Sequence, residues 1–147
     1  MNDNEINKIQ NEIIDEFSFF EDWTDKYKYI IDLGKELPVL DEKYKTDDMK
    51  VRGCQSNVWL RALDENGKVK YEADSDALIA KGLIALLIRV LGGKAANEIS
   101  ASDLYFIDKI GMKEHLSQNR ASGLASMLKQ MKLYAMALQQ KEKLQNG

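Results

Sequence analysis

The chain has 147 residues, with 21 basic and 24 acidic side chains and a formal net charge of −3. That length suits one domain with a proper core, and a hydrophobic fraction of 44% with one proline excludes a disordered chain. The near balance of charge leaves no basic footprint for nucleic acid, and the longest apolar run, Ala77 to Leu91, is broken by Lys81 and Arg89 and too short to cross a membrane.

Met1-Asn2-Asp3-Asn4-Glu5 is polar, with no apolar signal core behind it. From Glu5 to Phe20, the residues Ile6, Ile9, Ile13, Phe17 and Phe20 recur at steps of three and four, which predicts a helix with one buried face. Asp22 is placed to cap a second helix, with Trp23, Tyr27, Ile30 and Ile31 on its inner side and Gly34 then Pro38 ending it. Leu40 to Lys50 has no apolar period and reads as a solvated connection. Such a stretch in a small domain tends to be functional, and because it leads to Cys54 it is expected to form one wall of a site.

Asn66-Gly67 lies between two alternating runs and predicts a hairpin with a type I′ turn. The register follows: Leu63 faces Lys70, Ala62 faces Tyr71, Arg61 faces Glu72 and Leu60 faces Ala73. Val58, Leu60, Ala62, Val69, Tyr71 and Ala73 then share the core side, and Trp59 and Leu63 fall on the wetter face and need a cover.

Asp74-Ser75-Asp76 offers caps to a helix over Ala77 to Leu91, apolar almost all round and therefore central. Gly82 inside it costs roughly 1 kcal/mol relative to alanine, which predicts close packing against another element. Gly92-Gly93 ends the helix. Ala96 to Ser100 and Asp103 to Ile110 read as short helices, the second capped by Ser102 or Asp103. After Gly111, Met112 to Leu116 carries His115, the single histidine. The last helix begins after Ser117 with a seam of Ala121, Leu124, Leu128, Met131, Ala135 and Leu138, expected to pack within the chain. Its tail, Gln139 to Gly147, is expected to fray.

The one cysteine closes no internal disulfide and supplies no multi-thiolate metal site. Free cysteines mostly pack in cores. Cys54, however, stands in Val51-Arg52-Gly53-Cys54-Gln55-Ser56-Asn57-Val58-Trp59. Gly53 permits an unusual backbone angle beside the thiol, and Arg52 favours a thiolate. Gln55, Ser56 and Asn57 are poor company for an inert apolar side chain. The pattern points to a reactive thiol presented where a loop meets a strand. With no targeting segment, a reducing cytosol (a cytoplasmic location) is the expected compartment.

Gly53-Cys54-Gln55-Ser56 followed by Val58-Trp59 resembles the active-site loop of the SufE family of cysteine desulfuration proteins. Members are sulfur acceptors that work with PLP-dependent cysteine desulfurases in iron–sulfur cluster assembly. The likeness continues in Trp23, Lys26-Tyr27, Ile30-Ile31, Leu33-Gly34 and Leu37-Pro38, and in Asp74-Ser75-Asp76-Ala77, Ile79 and Lys81-Gly82-Leu83. His115-Leu116-Ser117, Arg120 and Gly123-Leu124 extend it, and Ala121 stands where the family often has serine.

The resemblance implies an α+β fold over residues 1–147, a small antiparallel sheet against helices, shared with the iron–sulfur scaffold proteins (SufE/IscU-like). It implies that Cys54 takes persulfide sulfur from a SufS/CsdA-like desulfurase, stimulates that enzyme, and passes the sulfur to a cluster scaffold. PLP would belong to the partner; this chain would need no cofactor or metal of its own and would act as an accessory protein and activator. Arg52, Gly53, Gln55, Ser56 and Arg120 are the expected partner contacts around the thiol. The thiol is expected to be partly shielded at rest, since an open thiolate oxidises readily, and to swing out toward its donor.

Three other readings compete. Cys54 and His115 could serve as nucleophile and base of a hydrolase or transferase. A cluster scaffold is disfavoured by the single thiolate. A regulator that activates a desulfurase by docking alone would leave Cys54 incidental.

Overall fold

A computed structural model describes residues 4–146, with side chains as far as residue 141. The polar start over Met1 to Asp3 and the final Gly147 lie outside the described residues. Helix α1, Glu5–Ser18, is capped by Asn4, whose Oδ1 accepts from the Asn7 N–H at 2.8 Å. It buries Ile6, Ile13 and Phe17, as the periodicity predicts, and ends two residues earlier than Phe20. Phe20 lies beyond the helix and packs its ring on Tyr29 at 4.9 Å. Helix α2, Trp23–Lys35, has the expected Asp22 cap, accepting from the Asp25 N–H at 2.9 Å.

Strands β1, Val58–Glu65, and β2, Lys68–Ser75, form the hairpin in the predicted register, with Leu60 opposite Ala73 and Arg61 opposite Glu72. Asn66 at φ 56° and Gly67 at φ 80° make the turn. Val58, Leu60, Val69, Tyr71 and Ala73 are buried; Ala62, nearer the turn, is half-buried. A third strand that the sequence reading lacks, β3 at Lys94–Ala95, pairs antiparallel with the start of β2. The result is an α+β fold: a three-stranded antiparallel sheet in the order β1-β2-β3, covered on its inner side by helices.

Helix α3, Leu78–Leu91, is the central element and packs on α1, α2 and β2. A Cβ at Gly82 would overlap the Ile30 carbonyl oxygen and come within 2.5 Å of Ile30 Cγ2. A Cβ at Gly34 would stand 2.7 Å from the Gly82 nitrogen. Gly34 therefore lies inside α2 as a packing residue and does not end that helix, which stops after Lys35.

The expected cap at the start of α3 is absent. Ala77 is the N-cap and its side chain offers no bond; Ser75, in β2, accepts from the Ala77 N–H itself at 3.2 Å, and Asp76 is engaged elsewhere. The connection at 40–50 is also not structureless. It forms two single 3₁₀ turns, Glu42–Tyr44 and Asp47–Met49, laid on the outer face of the hairpin. The Arg61 guanidinium sits 3.7 Å over the Tyr44 ring, and Lys45 reaches Asp74 at 2.9 Å with its ammonium 5.7 Å from the Trp59 ring. This is the cover that Trp59 needs.

After α4, Ala96–Ala101, the helix expected from Asp103 shrinks to α5, Phe106–Lys109. The reason is Gln10 of α1, fully buried, whose amide donates to the Asp103 carbonyl at 3.1 Å and accepts from the Phe106 N–H at 3.1 Å. Those bonds satisfy the backbone without a helical turn. Helix α6, Met112–His115, precedes α7, Gln118–Asn146. Along α7, Leu124, Met127, Met131 and Ala135 are buried, and the Met131 carbonyl accepts from the Tyr71 hydroxyl at 2.6 Å. The helix continues to Asn146, where glutamines, lysines and glutamate favour it.

Candidate functional site

Cys54 lies in a loop over residues 52–57 that is tied at its base. Lys50 bridges to Trp59, and the Val51 N–H donates to the Val58 carbonyl at 2.8 Å. The far side of the base is held by Asp76. Its Oδ1 accepts from the Asn57 N–H at 3.1 Å and its Oδ2 from Asn57 Nδ2 at 2.8 Å. The Asn57 carbonyl in turn accepts from the Ser75 hydroxyl at 2.7 Å. This use of Asp76 explains the missing helix cap.

Between those ties the loop rests on the first turns of α7. Gly53 has φ 93°, the left-handed region that favours glycine, and a Cβ there would overlap Ser126 Oγ and stand 3.3 Å from Ser126 Cβ. The Cys54 thiol donates to the Gly123 carbonyl at 3.6 Å. Gln55 Oε1 accepts from Asn119 Nδ2 at 2.9 Å. The thiol is half-buried, and burial pushes its pKa up from its ordinary value.

The loop opens onto a cavity of about 610 Å³. Cys54, Gln55 and Ser56 form one side; Asn119, Arg120 and Gly123 of α7 form another. Leu78, Ile79 and Leu83 of α3, Ile31 of α2 and Met127 supply apolar walls, with Leu78 60% exposed at the surface. Arg120 is the one charged residue among the described lining, exposed in the first turn of α7, where the Ser117 hydroxyl oxygen accepts from its N–H at 3.3 Å.

Four of the expected residues, Cys54, Gln55, Ser56 and Arg120, thus meet at one cavity. Gly53, within the loop, lies over Ser126. Arg52 is exposed and does not line the cavity, and burial is the influence on the thiol, so the expected lowering of its pKa by Arg52 does not arise. The 40–50 connection contributes no lining residue; it covers the hairpin and is not a wall of the site. His115 also stands apart from the lining: its ring stacks on Trp23 at 4.5 Å, and its carbonyl accepts from the Tyr27 hydroxyl. That placement gives no support to a Cys–His pair. Sequence reasoning missed Asn119, Ser126 and the Asp76–Asn57 clasp, which appear only when the loop meets α7 and the end of β2. Gly123, a glycine within a helix pattern, was the available signal.

Residues 11–135 match the family described as "SufE: Fe-S metabolism associated domain". The chain belongs to the SufE family. An uncharacterised SufE-like protein of Rhizobium etli is 46% identical over 127 residues, 83% of this chain and 86% of that one. The cysteine desulfuration protein SufE of Wigglesworthia glossinidia brevipalpis is 36% identical over 141 residues, covering 95% and 94%. The sulfur acceptor protein CsdE of Escherichia coli is 39% identical over 107 residues, covering 71% and 73%. In shape the chain is similar to a hypothetical protein from Thermus thermophilus solved in solution, with TM-score 0.72 over 88% of this chain and 94% of that one. At 18% identity this last likeness concerns the fold alone. Among the described residues no helix is long and apolar enough to cross a membrane.

Proposed function

We propose that this protein is a sulfur acceptor and carrier that takes sulfane sulfur onto Cys54 from the persulfide of a PLP-dependent cysteine desulfurase. Family membership and the named relatives support the acceptor role. The observation that carries the residue assignment is the half-buried thiol at the mouth of an open cavity, on a loop tied at both ends.

The transfer is thiol exchange with sulfur as cargo. The Cys54 thiolate attacks the outer sulfur of the donor persulfide; a new S–S bond forms at Sγ, the donor's S–S bond breaks, and its electron pair returns to the donor cysteine as thiolate. The outer sulfur stays at the sulfane level throughout, so no external oxidant or reductant enters. A second thiolate, on a cluster scaffold or further acceptor, takes the sulfur by the same displacement. PLP chemistry stays with the donor.

At rest the thiol is a poor nucleophile, since the reactive form is the thiolate and burial favours the protonated one. Cys54 therefore has to leave the Gly123 carbonyl and swing outward to meet the donor. Departure of the donor's sulfur unblocks its own cysteine, which is how acceptance stimulates turnover. The protein acts as accessory and activator, not as a free-standing enzyme. Desulfurase turnover of free cysteine tests this: the parent protein should stimulate it and Cys54→Ser should not. Full stimulation by Cys54→Ser would make the protein a docking regulator.

A further inference from the structure

Two glycines from distant parts of the chain meet on one strip of α7. Gly53 of the loop lies over Ser126, and Gly123, one helical turn earlier, lies under Cys54. A Cβ at Gly123 would stand 3.6 Å from Cys54 Sγ, in ordinary van der Waals contact with it. A methyl there would touch the sulfur, and a branched side chain would compete with it for space. The same residue's carbonyl accepts the thiol proton. A carbonyl oxygen has two lone pairs, so it can serve the helix and the thiol together. Glycine inside a helix costs about 1 kcal/mol relative to alanine, and Gly123 has no positive φ that would require one.

We propose that Gly123 is a positioning residue for sulfur transfer: its carbonyl holds the thiol by the S–H proton, and it keeps bulky side chains from crowding Cys54 Sγ. This rests on Cys54 being the transfer thiol and names the part that sets its resting place. The seat suits a neutral thiol and not an anion. A carbonyl oxygen attracts an S–H and repels a thiolate or an anionic persulfide. Arg120 is the one charged group facing the cavity among the described lining residues, and the other lining side chains of α2, α3, α7 and the loop are uncharged. Loss of the proton, or its replacement by a transferred sulfur, removes the bond that holds the side chain down. Seating and reactivity thus exclude each other.

The single cysteine gives a single S–H stretching band in the Raman spectrum, a readout that needs no partner. In the parent that band should lie at lower frequency than in the urea-unfolded chain, and in Gly123→Val it should move toward the unfolded position. Alkylation of Cys54 in folded Gly123→Val should be roughly fivefold faster near neutral pH, the scale of one lost net hydrogen bond, with its pH profile displaced to lower pH. If Gly123→Val does not fold, Gly53→Ala lifts the same loop from the other side by overlapping Ser126, and the same two shifts are expected. An unmoved band with an unchanged alkylation profile in either folded variant overturns the proposal. A displaced band in a protein that takes no sulfur from a desulfurase keeps the seat and refutes the transfer; an unmoved band with normal uptake does the reverse.

Discussion

Asp76 holds Asn57 at both ends, its two carboxylate oxygens taking the backbone N–H and the side-chain amide of the same residue. Asn57 is the last residue of the Cys54 loop before β1, so this clasp fixes the loop's downstream hinge. In Asp76→Ala two exposed bonds go, at about 0.5–1.5 kcal/mol each. Stability in urea should fall by about 1–3 kcal/mol, and Cys54 in the still-folded protein should alkylate faster. Equal alkylation rates would detach the clasp from control of the loop.

The contact between α2 and α3 offers a test in which two effects oppose each other. Alanine at Gly82 raises helix propensity by about 1 kcal/mol. It also drives a methyl into the Ile30 carbonyl and Cγ2, and overpacking of that kind costs about 1–3 kcal/mol or more. Because the obstacle is backbone, the clash wins. Gly82→Ala should lose about 2 kcal/mol in denaturant unfolding; a gain would show that the helices move apart freely.

The thiol makes a pH prediction with a definite sign. Burial disfavours the thiolate, so folded Cys54 keeps its proton to higher pH than an open cysteine does. The folded state binds that proton more tightly than the unfolded chain. The resulting stabilisation is present below the ordinary thiol range and lost as pH rises through the folded value. Urea midpoints of the parent should therefore fall relative to Cys54→Ser as the solution turns alkaline. A constant difference between the two proteins would contradict it.

Arg120 separates binding from stability. A cation in the first turn of α7 opposes the helix dipole, so Arg120→Glu should stabilise the protein by about 0.3–1 kcal/mol. If its place beside the Cys54 cavity serves the donor, the same variant should slow sulfur uptake roughly tenfold, the scale of one interfacial charge contact. Gain of stability with unchanged uptake would make Arg120 a solvated residue only.

What could be read from the sequence was local or strongly patterned. Asn66-Gly67 dictates the turn, and the turn dictates which residues oppose one another, so the hairpin register was legible to its ends. Gly82 announced a close approach without naming Ile30 as its neighbour. What was not legible depends on contacts between segments far apart in the chain. Buried Gln10 replaces a helical turn ninety-odd positions away by taking Asp103 and Phe106, which no window around Asp103 can reveal. Tyr44 and Lys45 looked solvated by composition, yet a cation and a ring make good cover for the hairpin's outer face. At the site, Cys54 and its neighbours stood out by composition. The partner of the thiol did not, because it is a backbone carbonyl and every residue has one.

The central claim is that Cys54 receives sulfur, and intact-protein mass tests it most directly. The protein would be mixed with a PLP-dependent cysteine desulfurase and free cysteine, then weighed with and without reductant. A gain of one sulfur atom, removed by reductant and absent in Cys54→Ser, is the expected result. No gain with a competent cognate donor, or an equal gain in Cys54→Ser, would contradict the account.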